Sequence, residues 1–102
     1  MAKLVSLFGT PTDPAAFDRH LEATHLPLAR KIPGLRSLEV STGPVMTPDG
    51  PAPYHRVGVL SFDSMADLQA GLASPEGQAA GADAMGLATG GVTLLVFDSR
   101  EV

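Results

Sequence analysis

Two segments of this chain, YHRVGVLSFD (54–63) and VTLLVFD (92–98), are apolar at successive positions instead of every second one. A strand points successive side chains to opposite faces, so Val57 and Val59 alternate with Leu60 and Phe62, and Leu94 and Val96 with Leu95 and Phe97. Such strands need cover on both sides. The remaining chain holds two helical segments, enough to cover one face of one sheet. The second face is too apolar to be left to water. Sheet-to-sheet packing against a second copy is its simplest cover.

The other elements are set off by proline, glycine and short polar residues. A first strand spans Lys3 to Gly9 and ends in TPTDP, where Asp13 is placed as an N-cap and Pro14 as the first helical residue. In the helix that follows, Leu28, Leu21 and Ile32 fall within about 60° of Phe17 at about 100° per residue, which makes one buried stripe. Pro33-Gly34 stops it. A second strand runs from Leu35 to Met46, broken at Gly43-Pro44, and TPDGPAP (47–53) reads as an irregular loop. The third strand is Tyr54 to Asp63. Ser64 opens a second helix, with Asp67 as the acid of a short capping box, and Ser74-Pro75 restarts it. The glycines after it form no phosphate-binding pattern and are expected to serve close packing. The order β-α-β-β-α-β specifies a ferredoxin-like α+β fold: a four-stranded antiparallel sheet with helices on one face. Residues 1–102 are expected to form a single domain.

Several function classes are disfavoured at once. The net charge is −4 and the seven Lys and Arg are scattered, so nucleic acid and anionic membranes are not expected partners. The chain has no cysteine, hence no disulfide, thiolate nucleophile or thiolate metal site. No apolar run approaches the roughly 20 residues that span a bilayer. The apolar start of MAKLVSLF is short and interrupted by Ser6, so it is read as a strand and not an export signal, which leaves the cytoplasm as the default location.

The segment FDRHLEATHLPLARKIPGL (17–35) resembles the signature of the EthD family, in the dimeric α/β-barrel superfamily. The matching residues are His20, His25, Pro27, Leu28, Pro33, Gly34 and Leu35. SPEGQAAGADAMGLATGGV (74–92) is similar to the family's C-terminal segment, including Asp83. The resemblance implies a homodimer whose two sheets pack face to face into a barrel. Related barrels include isomerases of muconolactone type and small monooxygenases that use no metal. Family members often carry a tyrosine after the first histidine; Leu21 stands there in this chain.

On an α-helical count His20 and His25 diverge by about 140°, flanking the apolar stripe, which is poor geometry for a shared metal. Pro27 cannot donate to the carbonyl of Ala23, so the helix should loosen over Ala23–Leu26. His25 is either bonded to nearby backbone or a general acid–base at the barrel mouth. His20 is either a helix-edge residue or a group that orients substrate. His55 reads as strand-edge surface; with Tyr54 and Arg56 it could instead bind an anionic substrate. Ser6, Ser37, Glu39, Ser61 and Thr93 interrupt apolar strands and would line a pocket if they point inward. Glu39 is expected to face solvent, but buried it would be a proton acceptor. Asp83 is expected to cap the glycine-rich turn.

These residues support a cofactor-independent isomerase or related proton-transfer enzyme acting on a small cyclic or aromatic-derived compound in catabolism. Its catalytic residues would be His25 and His20, and its ligand-binding residues Ser6, Glu39, Tyr54 and His55, with no metal. The competing readings are a dimer that binds a small apolar ligand without chemistry, and a purely structural dimer. A barrel filled by Phe8, Phe62, Phe97 and leucines would exclude the first two.

Overall fold

The computed structural model describes residues 1–102. Strand β1 (Ala2–Phe8) leads into α1 (Pro14–His20), a π turn (Leu21–His25) and α2 (Leu26–Ala29), which follow one another as one helical run. Strand β2 (Leu35–Val40), the two-residue strands β3 (Met46–Thr47) and β4 (Gly50–Pro51), and β5 (Arg56–Phe62) come next. Helices α3 (Met65–Ala73) and α4 (Pro75–Leu87) precede the last strand, β6 (Val92–Asp98). The main sheet is antiparallel in the order β2-β5-β1-β6, the ferredoxin-like arrangement expected from the order of elements.

Register decides which side chains the helices cover. Leu4 pairs with Leu60 on one side and Val96 on the other, and Ser6 pairs with Gly58 and Leu94. Ala2, Leu4, Ser6 and Phe8 therefore share the helix-covered face with Leu60, Phe62, Leu94 and Val96. Val5, Leu7, Val57, Val59, Leu95 and Phe97 occupy the other face, on which no helix packs. Edge strand β6 is short of cover on both sides: Leu94, Leu95, Val96 and Phe97 are 52, 47, 48 and 44% exposed.

Between sheet and helices the core divides in two. One cluster joins Leu4, Leu60 and Phe62 to Ala29, Ile32 and Leu68; the other joins Phe8 to Phe17, Leu21 and Leu87. The π turn lies where the first helical run passes from the second cluster to the first. Leu26 N–H reaches back five residues to Leu21 O, and Pro27 follows with no N–H to give. The loosening expected before Pro27 thus takes the form of an added residue in one turn. That shifts the helix by one position, and Ala29, not Leu28, is fully buried. Ile32 is buried as the α-helical count expects, and Leu28 packs against the same cluster while staying partly exposed.

The N-caps behave as their sequence dictates. Asp13 accepts from Ala16 N, Ser64 from Asp67 N, and Ser74 from Gly77 N. Helices α3 and α4 touch through glycine: a Cβ on Gly77 would stand 2.1 Å from Gly71 O. The stretch after β2 departs from expectation. Met46–Thr47 and Gly50–Pro51 form a small hairpin, closed by Thr47 Oγ1 donating to Gly50 O, with Gly50 at φ +136°. Its two strands pair only with each other, where a proline at the edge removes no sheet hydrogen bond.

Candidate functional site

The added residue of the π turn determines how the two histidines are presented. A turn closed by an i→i+5 bond brings residues five apart nearly into line, whereas a regular α-helix would separate them. His20 and His25 bracket this turn and both face α4, where Asp83 takes one nitrogen from each. His20 Nε2 lies 2.7 Å from Asp83 Oδ1, and His25 Nδ1 lies 2.9 Å from Asp83 Oδ2. Asp83 is therefore no cap of the glycine-rich turn. It stands within α4 on the inward stripe of Ala80 and Leu87, three residues after one and four before the other. That spacing was the available signal: an acid on the buried side of a helix otherwise made of small residues.

A carboxylate only accepts, so the imidazole nitrogen facing each oxygen carries the proton. For neutral His25 this fixes the Nδ1–H form and leaves the Nε2 lone pair free. No fully buried side-chain nitrogen or oxygen lacks a partner, and Nε2 has none within the protein, so Nε2 is not sealed in the interior. The His25 side chain is 13% exposed, Asp83 17% and His20 42%, a gradient from inside to outside.

The inner end of this gradient is a cleft of about 400 Å³ between α2, α4 and the covered face of the sheet. Leu4, Ser6 and Leu60 form its floor, with His25, Ile32 and Ala84 among the walls. Met85, Leu94 and Val96, all exposed, mark its mouth along β6. On the outer side of Asp83 lies a shallower groove of about 550 Å³, bordered by Phe17, His20, Leu87 and Thr89. Phe8 and Phe62 belong to the two core clusters and Phe97 to the opposite face, so none of the three fills the cleft.

The other candidate residues are dispersed. Ser6 joins His25 at the cleft. Glu39 lies opposite Val59 on the face that no helix covers and is exposed. His55 and Tyr54 precede β5 at the far end of the sheet, outside the cleft. His55 Nε2 is 2.8 Å from Asp18 Oδ1, with its ring edge-on to Phe17, and Arg56 reaches Asp18 Oδ2 at 3.3 Å. This second cluster ties α1 to β5 and uses up the charges that an anionic ligand would need. Leu21 is buried within the Phe8 and Phe17 cluster. No group of three or more His, Asp or Glu side chains is placed to hold a metal ion.

The EthD domain model matches residues 9–91. The chain belongs to the EthD family. It is 36% identical over 102 residues to an uncharacterized 11.0 kDa protein of the thcB-thcC intergenic region of Rhodococcus erythropolis, covering 100% of this chain and 98% of that one. A crystal structure of an ethyl tert-butyl ether d (EthD) family protein from Bacillus halodurans superposes with TM-score 0.89 at 38% identity, over 98% of this chain and 99% of that one. At lower identity the fold alone is shared. SnoaB, a cofactor-independent oxygenase from Streptomyces nogalater, gives TM-score 0.69 at 16% identity over 99 and 94% of the two chains. A dimeric ferredoxin-like protein of unknown function from Thermobifida fusca gives 0.70 at 16% over 94 and 88%.

Proposed function

We propose that this EthD-family protein is a cofactor-independent proton-transfer enzyme, of isomerase type, acting on a small cyclic or aromatic-derived compound held in the cleft. The observation that carries this reading is His25 at the wall of an apolar cavity, with Nδ1 committed to Asp83 and Nε2 bonded to no group of the protein. An imidazole held in one tautomer and facing a cavity of ligand size is equipped to take a proton from carbon and return it elsewhere on the same molecule. Asp83 orients the ring and would stabilise the imidazolium formed on the way, and His20 supports Asp83 from the solvent side. Ser6 supplies a hydroxyl that can hold the ligand's oxygen. That SnoaB, on the same fold, works without a cofactor is in keeping with this reading.

The second reading, a non-catalytic ligand-binding or accessory dimer, draws on the same cleft, because His25 is the only titratable group on its surface. Incubation with cyclic ketones and lactones in D₂O separates the two. Deuterium entering the ligand next to its carbonyl, seen by mass spectrometry and lost in His25→Ala, is the expected result. Ligand binding without exchange, or exchange that survives His25→Ala, would remove the catalytic assignment.

In both readings the protein works as a homodimer joined through the sheet face that carries Val5, Val59, Leu95 and Phe97. The apolar character of that face and the dimeric state of the Thermobifida fusca protein support this assembly.

A further inference from the structure

We infer that the cleft selects uncharged ligands and rejects carboxylates and ammonium ions of the same size; this rests on the cleft being the ligand site, as proposed above. The inference comes from which side chains reach the cavity. Besides carbon, its surface offers the side-chain polar atoms of Ser6, His25 and Gln78 only. Gln78 Nε2 donates to Ala73 O, which leaves the Gln78 amide oxygen, the Ser6 hydroxyl and His25 Nε2, all uncharged, as the groups open to a guest.

Every cation that might have held an anion is placed elsewhere. Lys3 lies on the opposite face of the sheet, donating to Ser61. Arg36 is paired with Asp63, and Arg56 is engaged by Asp18 and the His55 carbonyl. Arg19, Arg30, Lys31 and Arg100 are exposed on the surface and none borders the cleft. The nearest fixed charge is the Asp83 carboxylate, one imidazole away, and it would repel a second carboxylate. Protonation of His25 would add a donor at Nε2, but its charge is already matched by Asp83 at Nδ1 and gives a carboxylate no unpaired cation. An ammonium finds only neutral acceptors, on Ser6, His25 and Gln78, since neither Asp83 nor any other acid borders the cavity. An ion entering an apolar wall sheds its water, and without an opposite charge that loss is poorly compensated. A compact, carbon-rich molecule with one carbonyl or hydroxyl oxygen meets no such penalty. A carbonyl oxygen can accept from the Ser6 hydroxyl, and a hydroxyl can also donate to His25 Nε2, while the ring packs against Leu4, Ile32 and Leu60.

Three probes with the same ring test this: cyclohexanone, cyclohexanecarboxylate and cyclohexylammonium, titrated into methyl-labelled wild-type protein and followed by NMR. The methyl signals of Ile32, Leu60 and Met85 are expected to move with cyclohexanone, and each charged probe is expected to bind at least about tenfold more weakly. A charged probe binding as well as the ketone would overturn the inference, as would a ketone that leaves these methyls unmoved. The measurement does not depend on turnover. Neutral selectivity without deuterium exchange would remove the enzyme reading alone. Exchange accompanied by preference for the carboxylate would remove this inference alone.

Discussion

His25 Nδ1 and Asp83 Oδ2 meet at 2.9 Å across the seam between the π turn and α4, with both side chains largely shielded from water. A bond to a charged acceptor in that setting contributes more than a surface pair does. Asp83→Asn removes the charge from both imidazoles at once and should lower stability by about 1–3 kcal/mol. His20→Gln removes only the outer, more exposed contact and should cost about 0.5 kcal/mol or less. Urea unfolding of the two variants compares them directly. Equal losses would mean that the inner bond has no special weight.

The π turn carries a second expectation. Counting about 100° per residue, Ala29 lies roughly 120° from Phe17 on a regular helix, yet both are buried on the same side. One residue fewer would bring Ala29 to within about 20°. Deleting exposed Thr24 should therefore keep both core clusters, but it returns Pro27 to the interior of a regular helix at a cost of up to about 3 kcal/mol. Deleting Thr24 together with Pro27→Ala should recover most of that loss. Thermal unfolding of the two variants reads the difference, and no recovery would show that the extra residue serves more than the proline.

Most of the fold could be read from the chain because local signals agreed with one another. Asp13, Ser64 and Ser74 cap the helices they precede, and the two-faced strands β5 and β6 sit where the alternation puts them. The site was less legible. His20 and His25 appeared to diverge because a helical wheel assumes a constant turn, and one π turn changes the phase of everything after it. Asp83 looked like a turn residue because its helix is built from alanine and glycine, whose low apolar contrast conceals which side faces inward. The Asp18–His55 pair joins residues 37 apart in sequence, and no local pattern announces it.

Two glycines of α4 should respond in opposite ways. A methyl group on Gly81 would meet nothing within 4 Å, so Gly81→Ala should stabilise the helix by about 0.5–1 kcal/mol through reduced backbone freedom. The same change at Gly77 would press a Cβ into Gly71 O and Leu72, and should destabilise by about 1–3 kcal/mol or more. Calorimetric melting of both variants would show the split. Because Gly81 borders the cleft, its alanine variant should also bind bulky ligands less well while melting higher.

The face opposite the helices supplies the last expectation. Leu95 and Phe97 lie there beside Val5 and Val59 in a layer with few polar groups, 47 and 44% exposed in the single chain. If this layer is the dimer seam, two glutamates on each protomer would bring like charges together in an apolar interface, where Lys3, the cross-strand partner of Phe97, can offset only the nearer one. Leu95→Glu combined with Phe97→Glu should then halve the mass in light scattering, from twice 10.5 kDa to the single-chain value. Met85→Glu, on α4 at the mouth of the cleft, adds one negative charge, half that of the double variant, away from that face and should leave the dimer intact. A double variant that stays dimeric would place the seam elsewhere, with the doubly exposed strand β6 as the next surface to change. If both variants dissociate, added negative charge alone is the cause, on a chain that already carries −4, and the sheet face loses its claim.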